Sequence, residues 1–416
     1  MILLTMRRPQ KISLILLAGV GILGTASALA PRLRPEAVGD RKESSIVGSS
    51  RSLQFEPPLS ASMRASALQA LAEYEAAKPR RASDHFHRWC FEGLKGAYSL
   101  NPKLQAEVDQ LRSKSGFRRA FPGSPPLFFR SPYGWEVRQR TAEHVEKHWE
   151  YEPHVDQFLA ACAQIGAPLN LEIETDFGQV SIGELLEASR LSFDSSQEPC
   201  WTLVAYCTYL PEDSQWQNRF GDSCSYESIV QVILALPLDS GPCAGTHKQF
   251  ALAYFLNTPS GATLSSGLRR KCEEYLERSS KLLERSQLPS GAWTPLWAAG
   301  SADSTGPLRS ILGVDLVRTT GHQLEWVCLA PSAVRPSMGC VGRALHFLIE
   351  ALNRADVTTI QKEYCPYSHA ACVIERASMC DRTTAPEVRR EPPQIFNDFV
   401  RFPAIREGSR VSAQTP

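Results

Sequence analysis

Short segments that are apolar on nearly every side recur along this chain at an almost constant interval: HVDQFLAACAQIG from His154, WTLVAYCTYL from Trp201, HKQFALAYFLN from His247, HQLEWVCLA from His322 and HAACVIERA from His369. Their starts are separated by 47 residues, 46, then 75, then 47. The long step keeps the order and adds about 28 residues, mostly the loop LPSGAWTPLWAAGSADSTGP. HRWCFEGLKGAYSL from His87 fits as an earlier, sixth member. A helix that is apolar all round must be enclosed by other elements, and a period of this length is the mark of stacked helical units.

Between these segments lie amphipathic stretches. Leu268, Cys272, Tyr275, Leu276, Ser279, Leu282 and Leu283 form one stripe; Val341, Leu345, Leu348, Ile349 and Leu352 a second; Ile182, Leu185, Leu186 and Ser189 a third; Ile229, Val230, Ile233 and Leu236 a fourth. Their spacing predicts helices that cover a core. Strand signal is weak, with LNLEIET at 169–175 the best candidate. Each unit is then a helical hairpin that cannot bury both helices alone. The predicted fold is all-α, an α/α toroid of about six helical hairpins over residues 61–380, with an open solenoid as the alternative. Closure is favoured because the inner helices are too apolar to line an exposed concave face.

The chain's 416 residues are 43% hydrophobic and 21% charged, which excludes disorder throughout. Forty-five Lys and Arg against 44 Asp and Glu leave no basic excess, so nucleic acid is not an expected partner. Arg7, Arg8 and Lys11 precede an uncharged run from Ile12 to Pro31. Residues 1–30 therefore read as a signal peptide, with A-x-A sites at Ala26/Ala28 or Ala28/Ala30, or as an N-terminal membrane anchor. Either places the body in a bacterial cell envelope, periplasm or outer face, touching membrane only through that segment. Residues 31–60 read as a flexible linker and 381–416 as a polar, disordered tail.

A resemblance attaches to KLLERSQLPSGAW. Gln287, Gly291 and Trp293 form a Q-x3-G-x-W pattern that resembles the QW motif of the terpenoid cyclase and protein prenyltransferase α/α-toroid superfamily. The resemblance implies a toroid whose loops tie outer helices together. Two catalytic signatures of those enzymes are missing: there is no D-x-D-D acid motif and no acidic pyrophosphate-binding cluster. It therefore implies a fold and no particular reaction.

The candidate site comes from the repeat. His87, His154, His247, His322 and His369 fall at the starts of the predicted inner helices, which in a toroid share one mouth. Thr246 and Ser368 read as N-caps, with Gly321 in the corresponding place before His322, and the helix dipole would keep such histidines neutral. Cys243-Ala-Gly-Thr-His247 and Cys365-Pro-Tyr-Ser-His369 each offer Cys and His four residues apart, a usable metal-ligand spacing. Cys243, His247 and His322 are the expected set for zinc. The alternative is that Cys243 and Cys365 are bridged, to each other or to Cys200, Cys224 or Cys380, since twelve cysteines in an exported chain favour some pairing.

Glu325, three residues after His322, is expected on the same helix face with a raised pKa, giving an acid/base set of Glu325 with His322 or His247 for glycoside hydrolysis, elimination or epimerisation. The alternative is a buried Glu bonded to a neighbouring helix end. Trp293, Trp297 and Trp326, with His369, are the expected ligand-binding groups for a sugar or prenyl chain. The functional expectation is a His-rimmed cup that binds a carbohydrate or isoprenoid-like ligand, with acid/base or zinc-assisted catalysis; the other class is a noncatalytic envelope scaffold. No G-x-S-x-G elbow, Walker loop, H-E-x-x-H helix or EF-hand loop is present.

Overall fold

A computed structural model describes residues 59–382, except 140, 148, 213 and 302–312. The predicted export segment, all but the last two residues of the linker, and nearly all of the tail lie outside the described residues. Among these residues no helix is long and apolar enough to cross a membrane.

The protein is mainly helical. In chain order the helices are α1 (Ala61–Ala76), α2 (Ala82–Lys95), α3 (Pro102–Arg112), α4 (Lys114–Ala120), α5 (Ala142–Glu146), α6 (Gln157–Gln164), α7 (Ile182–Ser192), α8 (Cys200–Tyr209), α9 (Tyr226–Ala235), α10 (Thr246–Leu256), α11 (Pro259–Ala262), α12 (Ser266–Ser286), α13 (Gly313–Leu329), α14 (Met338–Arg354), α15 (Val357–Lys362) and α16 (Tyr364–Arg382). Three antiparallel hairpins interrupt them: β1 (Phe128–Ser131) with β2 (Gly134–Val137), β3 (Glu172–Thr175) with β4 (Gly178–Ser181), and β5 (Gln215–Gln217) with β6 (Ser223–Ser225). Only β3 was anticipated. The other strands are three or four residues long, too short for an alternation of apolar and polar residues to register.

Six helices carry the apolar segments: α2, α6, α8, α10, α13 and α16. Each packs against the next in that order, and α16 packs back against α2. Outside them α3 packs on α2, α7 on α6, α9 on α8, α12 on α10 and α14 on α13. The outer partner of α16 is α1, from the opposite end of the described chain.

Local sequence explains both layers. The outer α7 and α9 start at Ser181 and Ser225, whose side chains accept from the backbone N–H groups of Glu184 and Ser228. Their buried faces follow the predicted stripes, Leu185 and Leu186 in one and Ile229, Val230 and Ile233 in the other, while Leu236, just past α9, is exposed. The inner α6, α10 and α16 bring Ala160, Ala161, Ala251, Ala253, Ala370 and Ala371 to the interior, small enough for helices to approach closely, while Trp89, Phe158, Tyr206, Phe255 and Trp326 fill the remaining volume. Each fully buried Leu or Phe contributes about 1.5–3 kcal/mol.

The entry to α6 is unusual. Asp156 is a non-glycine residue with φ 59°, held there by hydrogen bonds from Ser189 Oγ (2.8 Å) and Thr202 Oγ1 (2.5 Å). The fully buried Glu152 accepts from the N–H groups of Gln157 (2.8 Å) and Phe158 (3.4 Å), capping the helix from a distance. Burial and the neighbouring Asp156 raise the Glu152 pKa well above the usual carboxylate range. Above the pKa of an unfolded glutamate, about 4.3, the folded state therefore holds a proton that the unfolded chain has released, and this group lowers stability as pH rises. Glu152→Gln keeps an acceptor for the helix and removes the proton. Its melting temperature is expected to gain on wild type between about pH 5 and pH 8 in parallel thermal scans; an unchanged difference would show that Glu152 does not titrate this way.

Candidate metal centre

Three local devices bring histidine and cysteine to one place. Before α10 the chain turns through Cys243 (φ 51°), Ala244 (φ 55°) and Gly245 (φ 78°), two of them non-glycine residues in the left-handed region. Such residues cost about 1–3 kcal/mol each and persist only where neighbours enforce them. Here Thr246 Oγ1 donates to Cys243 O (2.8 Å) and Trp297 Nε1 to Ala244 O (3.0 Å). In the first turns of α16, Cys365 and His369 stack one turn apart, with Sγ 3.6 Å from Nε2, while Ser368 Oγ donates to Cys365 O (2.7 Å). Between α13 and α16, a Cβ on Gly321 would stand 2.8 Å from His369 Cβ. Glycine there lets the two helices approach until the His322 and His369 rings lie 3.6 Å apart, centroid to centroid.

The five repeat-derived histidines all line one cavity of about 200 Å³, together with Cys243, Cys365 and Gln157; Arg81, Arg318, Lys362 and Glu363 complete its wall. Their rings form a continuous series: His87 to His369 4.7 Å, His369 to His322 3.6 Å, His322 to His247 5.3 Å, His247 to His154 4.7 Å. A smaller pocket of about 30 Å³ is lined by Phe86, Trp201, Phe250, Glu325 and others, and shares His87, Gln157 and His369 with the first.

Two carboxylates support the series. Glu198 bonds His247 Nδ1 (2.6 Å) and His154 Nδ1 (2.9 Å); Glu325 bonds His369 Nδ1 (2.8 Å) and lies 3.6 Å from His322 Nδ1. A carboxylate on Nδ1 fixes the tautomer and leaves Nε2 as a free ligand atom, the arrangement found behind metal-bound histidines. Burial would raise both carboxylates, but their histidine partners outweigh it, bringing Glu198 down to about 2 and Glu325 lower still. Burial and the adjacent histidines lower His87, His247 and His322 despite the carboxylates, so these imidazoles are neutral. Burial pushes the Cys243 thiol up to about 12.

Ligand atoms of Cys243, His247 and His322 lie within 4.8 Å of one another, so the set expected from sequence is brought together. The same holds for His87, Cys365 and His369; for His154, Glu198 and His247; and for His322, Glu325 and His369. His322 Nε2 is buried without a hydrogen-bond partner, and so is Gln157 Oε1. A buried polar atom left unpaired costs about 1–3 kcal/mol.

Several expectations are corrected. His87, His322 and His369 are not at helix starts, because α2 begins at Ala82, α13 at Gly313 and α16 at Tyr364; Gly321 and Ser368 lie inside helices and Thr246 is the first residue of α10 after Gly245, so none of the three is a cap. Neutrality of His322 and His247 comes from burial and neighbouring histidines rather than the helix dipole. The Glu325 carboxyl is not raised, because His369 and His322 stabilise its charged form, so it is an ionised partner and no proton donor. Trp293, Trp297 and Trp326 are fully buried, with their indole N–H groups given to Leu283 O, Ala244 O and Gln323 Oε1, and none lines the cavity. Trp201 instead lines the smaller pocket, its ring 4.9 Å from that of His247. Cys200, Cys224, Cys243 and Cys365 are free thiols, so the expected bridges among them are absent; the Cys380 side chain lies outside the described residues. Cys365 turns inward onto His369 rather than toward another sulfur.

Sequence reasoning missed Glu198 and Gln157. Glu198 was visible in principle as the one charge directly before the apolar segment at Trp201, in QEPCWTL. Comparisons with protein-family models, with curated proteins and with solved structures give no match.

Proposed function

We propose that the body is an (α/α)6 toroid, akin to the terpenoid cyclase superfamily in fold, exported to the cell envelope, and that its mouth binds a zinc-class metal ion which activates water against a small anionic substrate. One observation carries this reading: ligand atoms of Cys243, His247 and His322 lie within 4.8 Å of one another, and the buried Nε2 of His322 has no hydrogen-bond partner. One thiolate and two imidazoles suit zinc and leave a fourth position open, the pattern of catalytic rather than structural zinc. Bound water at such a position is acidified toward neutrality. Glu198 behind His247 and Glu325 near His322 orient the ligands and offset the ion's charge.

The substrate class follows from the cavity wall, where Arg81 and Lys362 stand against Glu363 and Arg318 is already paired with Asp315 (2.7 Å). The remaining positive charge favours a carboxylate or phosphate. A cavity of about 200 Å³ suits a small molecule. A prenyl chain is disfavoured by that size and by polar walls, and a sugar by the burial of the three tryptophans expected to hold it. A noncatalytic scaffold leaves the unpaired His322 Nε2 without explanation.

Loading the chain with Co²⁺ is expected to produce a thiolate-to-cobalt charge-transfer band whose intensity falls in Cys243→Ser. Hydrolysis of small phosphate and carboxylate esters is expected to stop on chelation and return with zinc. Absence of the band, or turnover indifferent to chelator, would contradict the reading.

A further inference from the structure

We infer that the cavity holds two metal ions, one on Cys243, His247 and His322 and a second on Cys365, His369 and His87. This rests on the metal reading above and extends it from one ion to a binuclear centre.

The two triads share no residue, and each consists of one cysteine and two histidines whose ligand atoms lie within 4.8 Å of one another. Each contains a Cys-x3-His pair, and in each that histidine is held at Nδ1 by a carboxylate from an earlier unit: Glu198 for His247 and Glu325 for His369. The repeat has therefore built the same half-site twice. A four-coordinate ion takes three or four protein ligands, so a single ion would leave the second triad with no role.

Position and charge agree with this. His322 of the first triad and His369 of the second have ring centroids 3.6 Å apart, which makes the two ions neighbours, close enough to share an oxygen of water or substrate. Two divalent ions bring four positive charges, and Cys243, Cys365 as thiolates with Glu198 and Glu325 bring four negative ones. The cluster then closes near neutrality, and the cations at the cavity wall remain to attract an anion that both metals can hold.

The test is zinc per chain, measured by elemental analysis after equilibrium dialysis of the full chain against buffered zinc. Two equivalents are expected for wild type, and one each for Cys243→Ser and Cys365→Ser. His87→Ala provides a second probe of the Cys365 half, and circular dichroism melts confirm that each variant is folded. Should Cys365→Ser fail to fold, spin coupling between two Co²⁺ ions in wild type reads the same proposal. One equivalent in wild type, unaffected by His87→Ala and Cys365→Ser but lost in Cys243→Ser, would overturn the second site and leave the metal reading intact. No bound zinc at all would overturn both.

Discussion

His322→Ala is expected to abolish metal binding at the first triad without weakening the metal-free fold. A ligand lost outright costs more than the roughly 10–100-fold in affinity that follows loss of a group behind a ligand. The folded apo protein behaves differently, because His322 Nε2 is buried without a partner. Removing the ring removes that desolvation penalty, on the order of 1–3 kcal/mol, and leaves a space next to a cavity of about 200 Å³. The two effects on stability oppose each other. In the presence of a chelator the variant is therefore expected to melt at or above wild type, while zinc raises the melting temperature of wild type much more than that of the variant. A variant that binds zinc normally and melts several degrees lower in chelator would make His322 a packing residue.

Trp293→Ala is expected to do the reverse. Trp293 is fully buried, donates from Nε1 to Leu283 O (2.8 Å) and accepts nothing from the cavity; its backbone N–H goes to Thr320 Oγ1 (2.9 Å). The loop around it is clamped. Gln287 Nε2 donates to Gly291 O (2.9 Å) and to Cys340 O (2.8 Å) in α14, Arg343 donates to Gln287 Oε1, and Gly291 has φ +89° with Arg343 O 2.3 Å from where a Cβ would stand. The chain just past α12 is thereby tied to α14. Truncating a buried tryptophan costs about 3–5 kcal/mol, on the order of 10 °C in a domain of this size. Zinc content per folded chain at low temperature is expected to stay at the wild-type value. A melting temperature within 2 °C of wild type, measured by calorimetry or circular dichroism, would contradict this role.

How much of this was legible follows from what each signal measures. The 46–47-residue recurrence and its apolar segments located α2, α6, α8, α10, α13 and α16, because a helix enclosed on all sides needs apolar residues on all sides. The stripes beginning at Ile182, Ile229, Leu268 and Val341 located α7, α9, α12 and α14 for the complementary reason. The five histidines share one cavity because they hold equivalent places in successive units. Glu198 was harder to see. A lone carboxylate before an apolar run has no pattern around it, and its importance lies in reaching His154 and His247, 44 and 49 residues away. The state of Glu325 was misjudged for a similar reason: burial is readable from Leu324, Trp326 and Val327, whereas the histidine from α16 that keeps it ionised is not. The tryptophans were placed by residue type alone, and a ring that suits a ligand equally suits a core.

The central claim is that the histidine mouth is a metal centre, and anomalous scattering from crystals of the zinc-loaded chain, recorded on both sides of the zinc absorption edge, tests it most directly. The account predicts strong peaks inside the cavity, one bounded by Cys243 Sγ and nitrogens of His247 and His322, and a neighbour bounded by Cys365 Sγ, His369 and His87. Anomalous density confined to exposed surface histidines such as His346, with none in the cavity, would contradict it.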